Sequence, residues 1–122
     1  VIRRSGENIA AVEVESTLMR HPKGASAAVT AVPDPMRGDE VFACIVPTVM
    51  PVDPSELACE ITRWCLTQLA YYKAPGFVVF VDALPLTSTQ KLQRATLKAM
   101  AADLLEKPST QDMRSLKKRN AA

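Results

Sequence analysis

Three stretches of the chain space their apolar residues as helices do. The first covers residues 11–20 and ends before Pro22, because the residue before a proline avoids the helical region. His21 would then act as a C-terminal cap, where a positive charge suits the helix dipole. The second stretch begins after Asp53 and runs to about residue 70. The third has the apolar stripe Leu97, Met100, Ala101 and Leu104.

Three continuous apolar runs alternate with these helices and predict buried strands. They cover residues 26–33, 40–49 and 76–81 and are apolar on both alternating faces. Turn-forming residues 34–39 separate the first two runs, which favours an antiparallel pair. The order predicts an α+β fold: a small, mostly antiparallel sheet of about three strands plus an N-terminal extended hairpin piece, packed with about three helices.

Composition fits one domain with a hydrophobic core. The chain has 122 residues, 48% of them hydrophobic, and no apolar run reaches the ~20 residues that a bilayer span needs. The three cysteines, Cys44, Cys59 and Cys65, are odd in number and lack metal-ligand spacing. We therefore predict reduced thiols, no metal site and a cytoplasmic location.

The net charge of +2 is unevenly distributed. Residues 107–122 carry five basic side chains against Asp112, a net charge of +4, whereas residues 1–106 carry 10 basic and 12 acidic side chains, a net charge of −2. We interpret residues 1–106 as the folded domain and residues 107–122 as a basic, flexible tail. No aromatic residue interleaves the basic ones, so we expect a solvated extension and no nucleic-acid partner.

Two polar stretches could carry chemistry, residues 3–8 and residues 84–94. The second is rich in hydroxyl groups and has two interpretations from its residues alone. Thr89 could cap the last helix by accepting a hydrogen bond from a free backbone N–H. Alternatively, the stretch is a mobile loop that delivers the Lys91 ammonium to an anion. Composition does not choose between the two.

Taken in order, these segments resemble the C-terminal domain of the adenylate-forming enzymes, a family that includes acyl- and aryl-CoA ligases, luciferase and peptide-synthetase adenylation domains. The segment IRRSGENIAAVEVE resembles the family's motif beside the interdomain hinge, and AAVTAVPDPMRGDEVFACIVP its central hairpin. LPLTSTQKLQR is similar to the lysine motif PxTxTGKxxR. The resemblance spans residues 1 to about 105, and GEN and RGDEV are most like the acyl-CoA ligase branch.

The resemblance implies an ATP-dependent acyl-CoA ligase that converts a small carboxylic acid to an acyl-adenylate and then to a CoA thioester. It implies that Lys91 is the catalytic lysine, that Arg3 and Asn8 contact the adenylate, and that Ser5 and Gly6 line the CoA tunnel. ATP, with Mg²⁺ bound mainly through a large N-terminal domain, and CoA as co-substrate are implied as well. That domain, the expected partner of this one, is not among these residues, so we expect the chain alone to be inactive.

Two alternatives stay open, an adenylation domain of a peptide-synthetase or luciferase-like enzyme, and a non-enzymatic module that keeps the fold. One departure from the motif is Gln90, which stands where glycine is usual. If this position takes a positive φ, glutamine strains the loop by roughly 1 kcal/mol. Lys91 and the Ser5-Gly6 loop serve different half-reactions, so we expect them on separate surfaces.

Overall fold

The computed structural model describes residues 2–4, 6–36 and 38–117. It contains three helices, where the apolar periodicity predicts them: α1 (Ala11–Met19), α2 (Pro54–Gln68) and α3 (Arg94–Leu104). Asp53 caps α2, since its carboxylate accepts a hydrogen bond from the Glu56 N–H at 3.2 Å. No helix in the described ranges is long and apolar enough to cross a membrane.

The described strands form one six-stranded sheet. In chain order they are β1 (Ile2–Arg4), β2 (Glu7–Ile9), β3 (Gly24–Asp34), β4 (Gly38–Pro47), β5 (Phe77–Phe80) and β6 (Gln111–Asp112). β3 and β4 pair antiparallel, as predicted, while β5 lies parallel to β4 and β6 antiparallel to β5. β1 and β2 form the expected N-terminal hairpin. The α+β class is confirmed, with β6 as an additional strand.

The side chains of β4 alternate between two cores on opposite faces of the sheet. Val41, Ala43 and Ile45 lie in the first core, which also contains residues of α1 and α2. Phe42 and Cys44 lie in the second core, which contains residues of α3. The β1–β2 hairpin contributes its buried isoleucines to the first core. Each face of the central strands is thus covered, as their continuous apolar runs predict.

The segment after α3 packs on the sheet, so the prediction of a flexible tail from residue 107 is wrong for the described part of that segment. β6 pairs with β5, and Met113 is buried in the first core. A 3₁₀ turn at Arg114–Leu116 then leads to Lys117, which is also buried. Apolar burial and a buried ion pair offset the cost of ordering this segment. Residues 118–122, the rest of the predicted tail, lie outside the described residues.

Candidate functional site

The lysine loop, defined here as residues 84–93, is a short hairpin between β5 and α3. Leu86 pairs with Leu92 across it. The Thr87 N–H donates to the Lys91 carbonyl oxygen at 2.7 Å, and the Thr87 hydroxyl accepts from the Lys91 N–H at 3.0 Å. These bonds fix the backbone of Lys91, while its side chain is exposed.

Gln90 is the only non-glycine residue with a positive φ in the part of the chain that the structure describes, at 66°. Its N–H donates to the Thr87 carbonyl oxygen at 2.9 Å, which closes the turn that precedes Lys91. Glycine adopts this conformation without steric cost, whereas a side chain with a Cβ is strained there. The condition for strain at this position of the motif is therefore met.

Thr89 does not cap α3, so the helix-cap interpretation of this stretch is wrong. The helix begins at Arg94 with Gln93 as its N-cap, and no side-chain hydrogen bond caps it. The Thr89 hydroxyl instead lies 3.0 Å from the Thr87 hydroxyl, inside the loop. The hydroxyl groups of this stretch therefore shape the turn around Lys91.

The other candidate residues lie on the β1–β2 hairpin. Arg3 and Asn8 are paired in register, and both are exposed. Gly6 lies in the turn with a φ of 83°, and a Cβ built there would meet no atom within 4 Å. The predicted partner of Gly6, Ser5, lies outside the described residues. The Arg3 N–H donates to Asp39 Oδ2 at 3.2 Å, which ties the hairpin to the start of β4.

The hairpin and the lysine loop are anchored on opposite faces of the sheet. Ile2 and Ile9 of the hairpin lie in the first core, whereas Leu84 and Leu92 of the loop pack against the second. The structure therefore brings the three described hairpin candidates together and holds Lys91 on a different element, on the other face. This arrangement agrees with the expected separation of the two candidate regions.

A buried charge cluster lies beneath the hairpin. Arg4 Nε donates to Glu40 Oε2 at 2.9 Å, and Lys117 Nζ donates to Glu40 Oε1 at 2.5 Å. The three residues are only 3%, 0% and 4% exposed, respectively. Gly76 leaves the necessary room, because a Cβ there would overlap the Glu40 side chain. Good geometry and two cationic partners offset the desolvation of the carboxylate.

A second ion pair, between Arg94 and Glu15, lies at the base of the lysine loop. Arg94 Nη1 donates to Glu15 Oε2 at 2.6 Å, and Nη2 donates to Oε1 at 2.9 Å. Hydrogen bonding to this carboxylate raises the pKa of Arg94, which keeps the guanidinium charged. The sequence reasoning missed this contact. Arg94 is the last residue of the lysine motif, but nothing local pairs it with a glutamate 79 positions away.

His21 takes a structural position between α1 and α2. Its ring meets Trp64 edge-on with a centroid distance of 5.3 Å, and its Nδ1 accepts from the Lys23 N–H at 3.1 Å. Burial lowers the pKa of His21, and the nearby Glu60 carboxylate opposes that shift. The C-cap of α1 is Arg20, so the prediction that His21 caps this helix is wrong: His21 lies one residue beyond the observed cap.

The three cysteines are free thiols. Burial raises the pKa of Cys44 and of Cys65 to about 12, which suppresses the reactive thiolate form. Within residues 2–4, 6–36 and 38–117, no three His, Cys, Asp or Glu side chains are grouped so that they could hold a metal ion.

The matched part of the chain includes most of α1, the central strands and the lysine loop as far as Lys91. A family model described as the AMP-binding enzyme C-terminal domain matches residues 13–91, from α1 to Lys91. The chain belongs to this family of C-terminal domains.

Curated relatives and solved structures agree with that assignment. A probable CoA ligase of Humulus lupulus is 46% identical over 99 residues, which are 80% of this chain and 17% of that protein. The acyl-coenzyme A synthetase ACSM1, mitochondrial, of Homo sapiens is 41% identical over 80% of this chain and 17% of its own length. Triostin synthetase I of Streptomyces triostinicus is 41% identical over 83% of this chain and 19% of its own length.

A crystal structure of Brucella canis acyl-CoA synthetase superposes with a TM-score of 0.80 and 35% identity, over 87% of this chain and 20% of that one. The chain thus spans only 17% to 20% of the length of the relatives and the structure compared.

Proposed function

We propose that this chain is the C-terminal domain of an AMP-forming acid–CoA ligase. The full-length protein converts a small carboxylic acid and ATP to an acyl-adenylate and pyrophosphate, and then transfers the acyl group to the CoA thiol. The observation that carries the proposal is the lysine motif, retained as an ordered loop with an exposed lysine, in a chain whose relatives are named as CoA ligases. The activity belongs to the whole protein, of which this chain is one part.

In the first half-reaction, Lys91 is the catalytic residue. Its backbone is held by Thr87, and its flexible four-carbon stem carries an ammonium into solvent. Such a point charge can neutralise oxygens of both the carboxylate and the α-phosphate while pyrophosphate leaves. Arg3 and Asn8, side by side on the hairpin, supply a cation and an amide for the adenylate.

In the second half-reaction, we propose that Ser5 and Gly6 contact the CoA arm. The open space beside the Gly6 Cα supports this role, because a ligand can approach the backbone there. The N-terminal domain of the same protein is the partner, and the Mg²⁺ that accompanies ATP binds mainly through it. We place the protein in the cytoplasm, where unpaired thiols stay reduced; the human relative is named as a mitochondrial protein.

A peptide-synthetase adenylation domain is the second candidate, favoured by the identity to triostin synthetase I. Such a domain forms the same adenylate, but it passes the acyl group to a carrier protein. A luciferase-like enzyme would share only the first half-reaction. A non-enzymatic module is the remaining alternative, and the strained Gln90 is the observation in its favour.

Pyrophosphate release by the full-length protein tests the proposal. A panel of short, medium-chain and aromatic carboxylic acids is supplied with ATP, with and without CoA. We expect acid-dependent release and, with CoA, an equimolar thioester and AMP. Release without any thioester would favour the second candidate, and no acid-dependent release from any acid would contradict both. The 122-residue chain alone is the control, and we expect no turnover because one loop cannot position acid and nucleotide.

A further inference from the structure

The outer edge of the sheet at β3 is covered by side chains from two helices. Among the described strands β3 pairs only with β4, so its other edge presents unpaired backbone groups. At Val29 both groups are bound: the N–H donates to Glu15 Oε2 at 2.8 Å, and the carbonyl oxygen accepts from Arg94 Nη1 at 3.3 Å. Glu15 and Arg94 also bind each other through two hydrogen bonds. The three residues form a clamp that joins α1, β3 and α3.

The clamp lies directly at the base of the lysine loop. Arg94 is the first residue of α3 and follows Lys91 by three positions. Between them, the Gln93 N–H donates to the Pro85 carbonyl oxygen at 2.8 Å, which ties the two arms of the loop together. Any shift of Arg94 relative to the sheet therefore moves the base from which Lys91 extends.

We propose that Arg94 is a positioning residue, whose bidentate pair with Glu15 sets where the lysine loop lies over the sheet edge and so the point from which Lys91 reaches its substrate. The catalytic part of this inference rests on the proposed function. Two parallel hydrogen bonds fix the orientation of the guanidinium as well as its distance, which one lysine contact cannot do. Arg94 is 49% exposed, so its guanidinium is readily hydrated when the pair opens.

The first test measures amide hydrogen exchange in the full-length protein and does not depend on activity. In Arg94→Gln and Glu15→Gln we expect the amides of Gln90 and Lys91 to exchange faster by about tenfold, because local opening becomes easier. Glutamine at position 15 keeps an oxygen acceptor for β3, which protects the sheet edge. Lys98→Gln, which removes a charge from the same helix, is the control and should leave exchange unchanged. Unaltered exchange in Arg94→Gln would overturn the inference.

The second test separates the two half-reactions in the same protein. In Arg94→Gln we expect kcat for acid-dependent ATP–pyrophosphate exchange to fall about 10- to 100-fold with little change in KM, because a displaced group loses its reactive geometry. Arg94→Lys should recover part of the loss. Thioester formation from presynthesised adenylate should stay within about twofold, since it does not use Lys91.

Equal losses in both half-reactions, or unchanged adenylation by Arg94→Gln in an active protein, would overturn the positioning role. A wild-type protein without acid-dependent exchange would instead contradict the proposed function. The amide-exchange result would then still decide whether the clamp holds the loop.

Discussion

The hairpin and the lysine loop are each held by ion pairs, but the two sets of ion pairs differ in burial. Beneath the hairpin, none of Arg4, Glu40 and Lys117 is more than 4% exposed. At the lysine loop, Arg94 is 49% exposed and only Glu15 is buried. Beneath the hairpin, a buried cation that loses its carboxylate partner destabilises the fold. At the lysine loop, the half-exposed Arg94 guanidinium is readily hydrated by solvent.

We infer from this difference in burial that the two groups of ion pairs have different roles. The buried cluster joins β1, β4 and the C-terminal segment, so it stabilises the fold around the hairpin. The pair of Arg94 and Glu15 joins α1 to the start of α3, and we propose that it orients the lysine loop.

Removal of Glu40 should give the largest loss of stability. Glu40→Ala leaves two buried cations without their carboxylate, and we expect the free energy of unfolding to fall by about 3–5 kcal/mol. Equilibrium urea denaturation of the chain measures the change. The matched control is Glu13→Ala, which removes a surface partner of Lys73 and should cost less than about 1 kcal/mol. Equal losses in the two variants would abolish the distinction between buried and exposed pairs.

Substitution of Gln90 by glycine should have a smaller effect of opposite sign. The hairpin turn has Gly6 at a φ of 83°, whereas the lysine loop has a glutamine at 66°. Relief of this strain in Gln90→Gly should raise the free energy of unfolding by about 0.5–1 kcal/mol. Ser88→Gly in the same loop gains flexibility without relieving a positive φ, so it should lower stability. If the free energy of unfolding changes in the same direction in Gln90→Gly and Ser88→Gly, the positive φ of Gln90 is not the source of the effect.

The smallest effect is a pH dependence that originates outside both ion-pair groups. Burial lowers the pKa of His21, the only histidine, so the unfolded chain binds its proton more readily than the folded one. The contribution of neutral His21 to the free energy of unfolding should therefore be fully present above the ordinary histidine pKa of about 6.5. It should decline as the pH falls below that value. Glu60 opposes the shift and Lys23 adds to it. His21→Gln should flatten this slope between pH 7 and the onset of carboxylate titration, and an unchanged slope would assign it to other groups.

Local patterns predicted much of this fold because its main elements are specified within their own segments. The apolar periodicities of α1, α2 and α3, and the continuous runs of β3, β4 and β5, are each visible without reference to the rest of the chain. The C-terminal segment is different. β6 has only two residues, and the burial of Lys117 depends on Glu40, 77 positions earlier. From the sequence alone, a lysine that is buried against a distant carboxylate cannot be distinguished from a lysine that is exposed to solvent.

In the candidate site, too, the features predicted from the sequence are local ones, and those that were missed depend on distant residues. The motif predicts Lys91 as the catalytic lysine, which stays a prediction, and its glycine position raised the possibility of a positive φ that the structure shows at Gln90. Of the two interpretations left open for this stretch, the helix cap at Thr89 was wrong because α3 begins after Gln93, a boundary that local propensity fixes poorly. The contact of Arg94 with Glu15 depends on how α1 and α3 meet the edge of β3, which only the assembled fold defines.

The central claim is that this domain supplies the lysine of the adenylation half-reaction, and Lys91→Ala in the full-length protein tests it most directly. We expect acid-dependent ATP–pyrophosphate exchange to fall by about 10²- to 10³-fold, because the variant removes a charge that stabilises the transition state. Thioester formation from presynthesised adenylate should persist, and Lys98→Ala should leave both half-reactions unchanged. An exchange rate in Lys91→Ala equal to that of the wild type would contradict the claim.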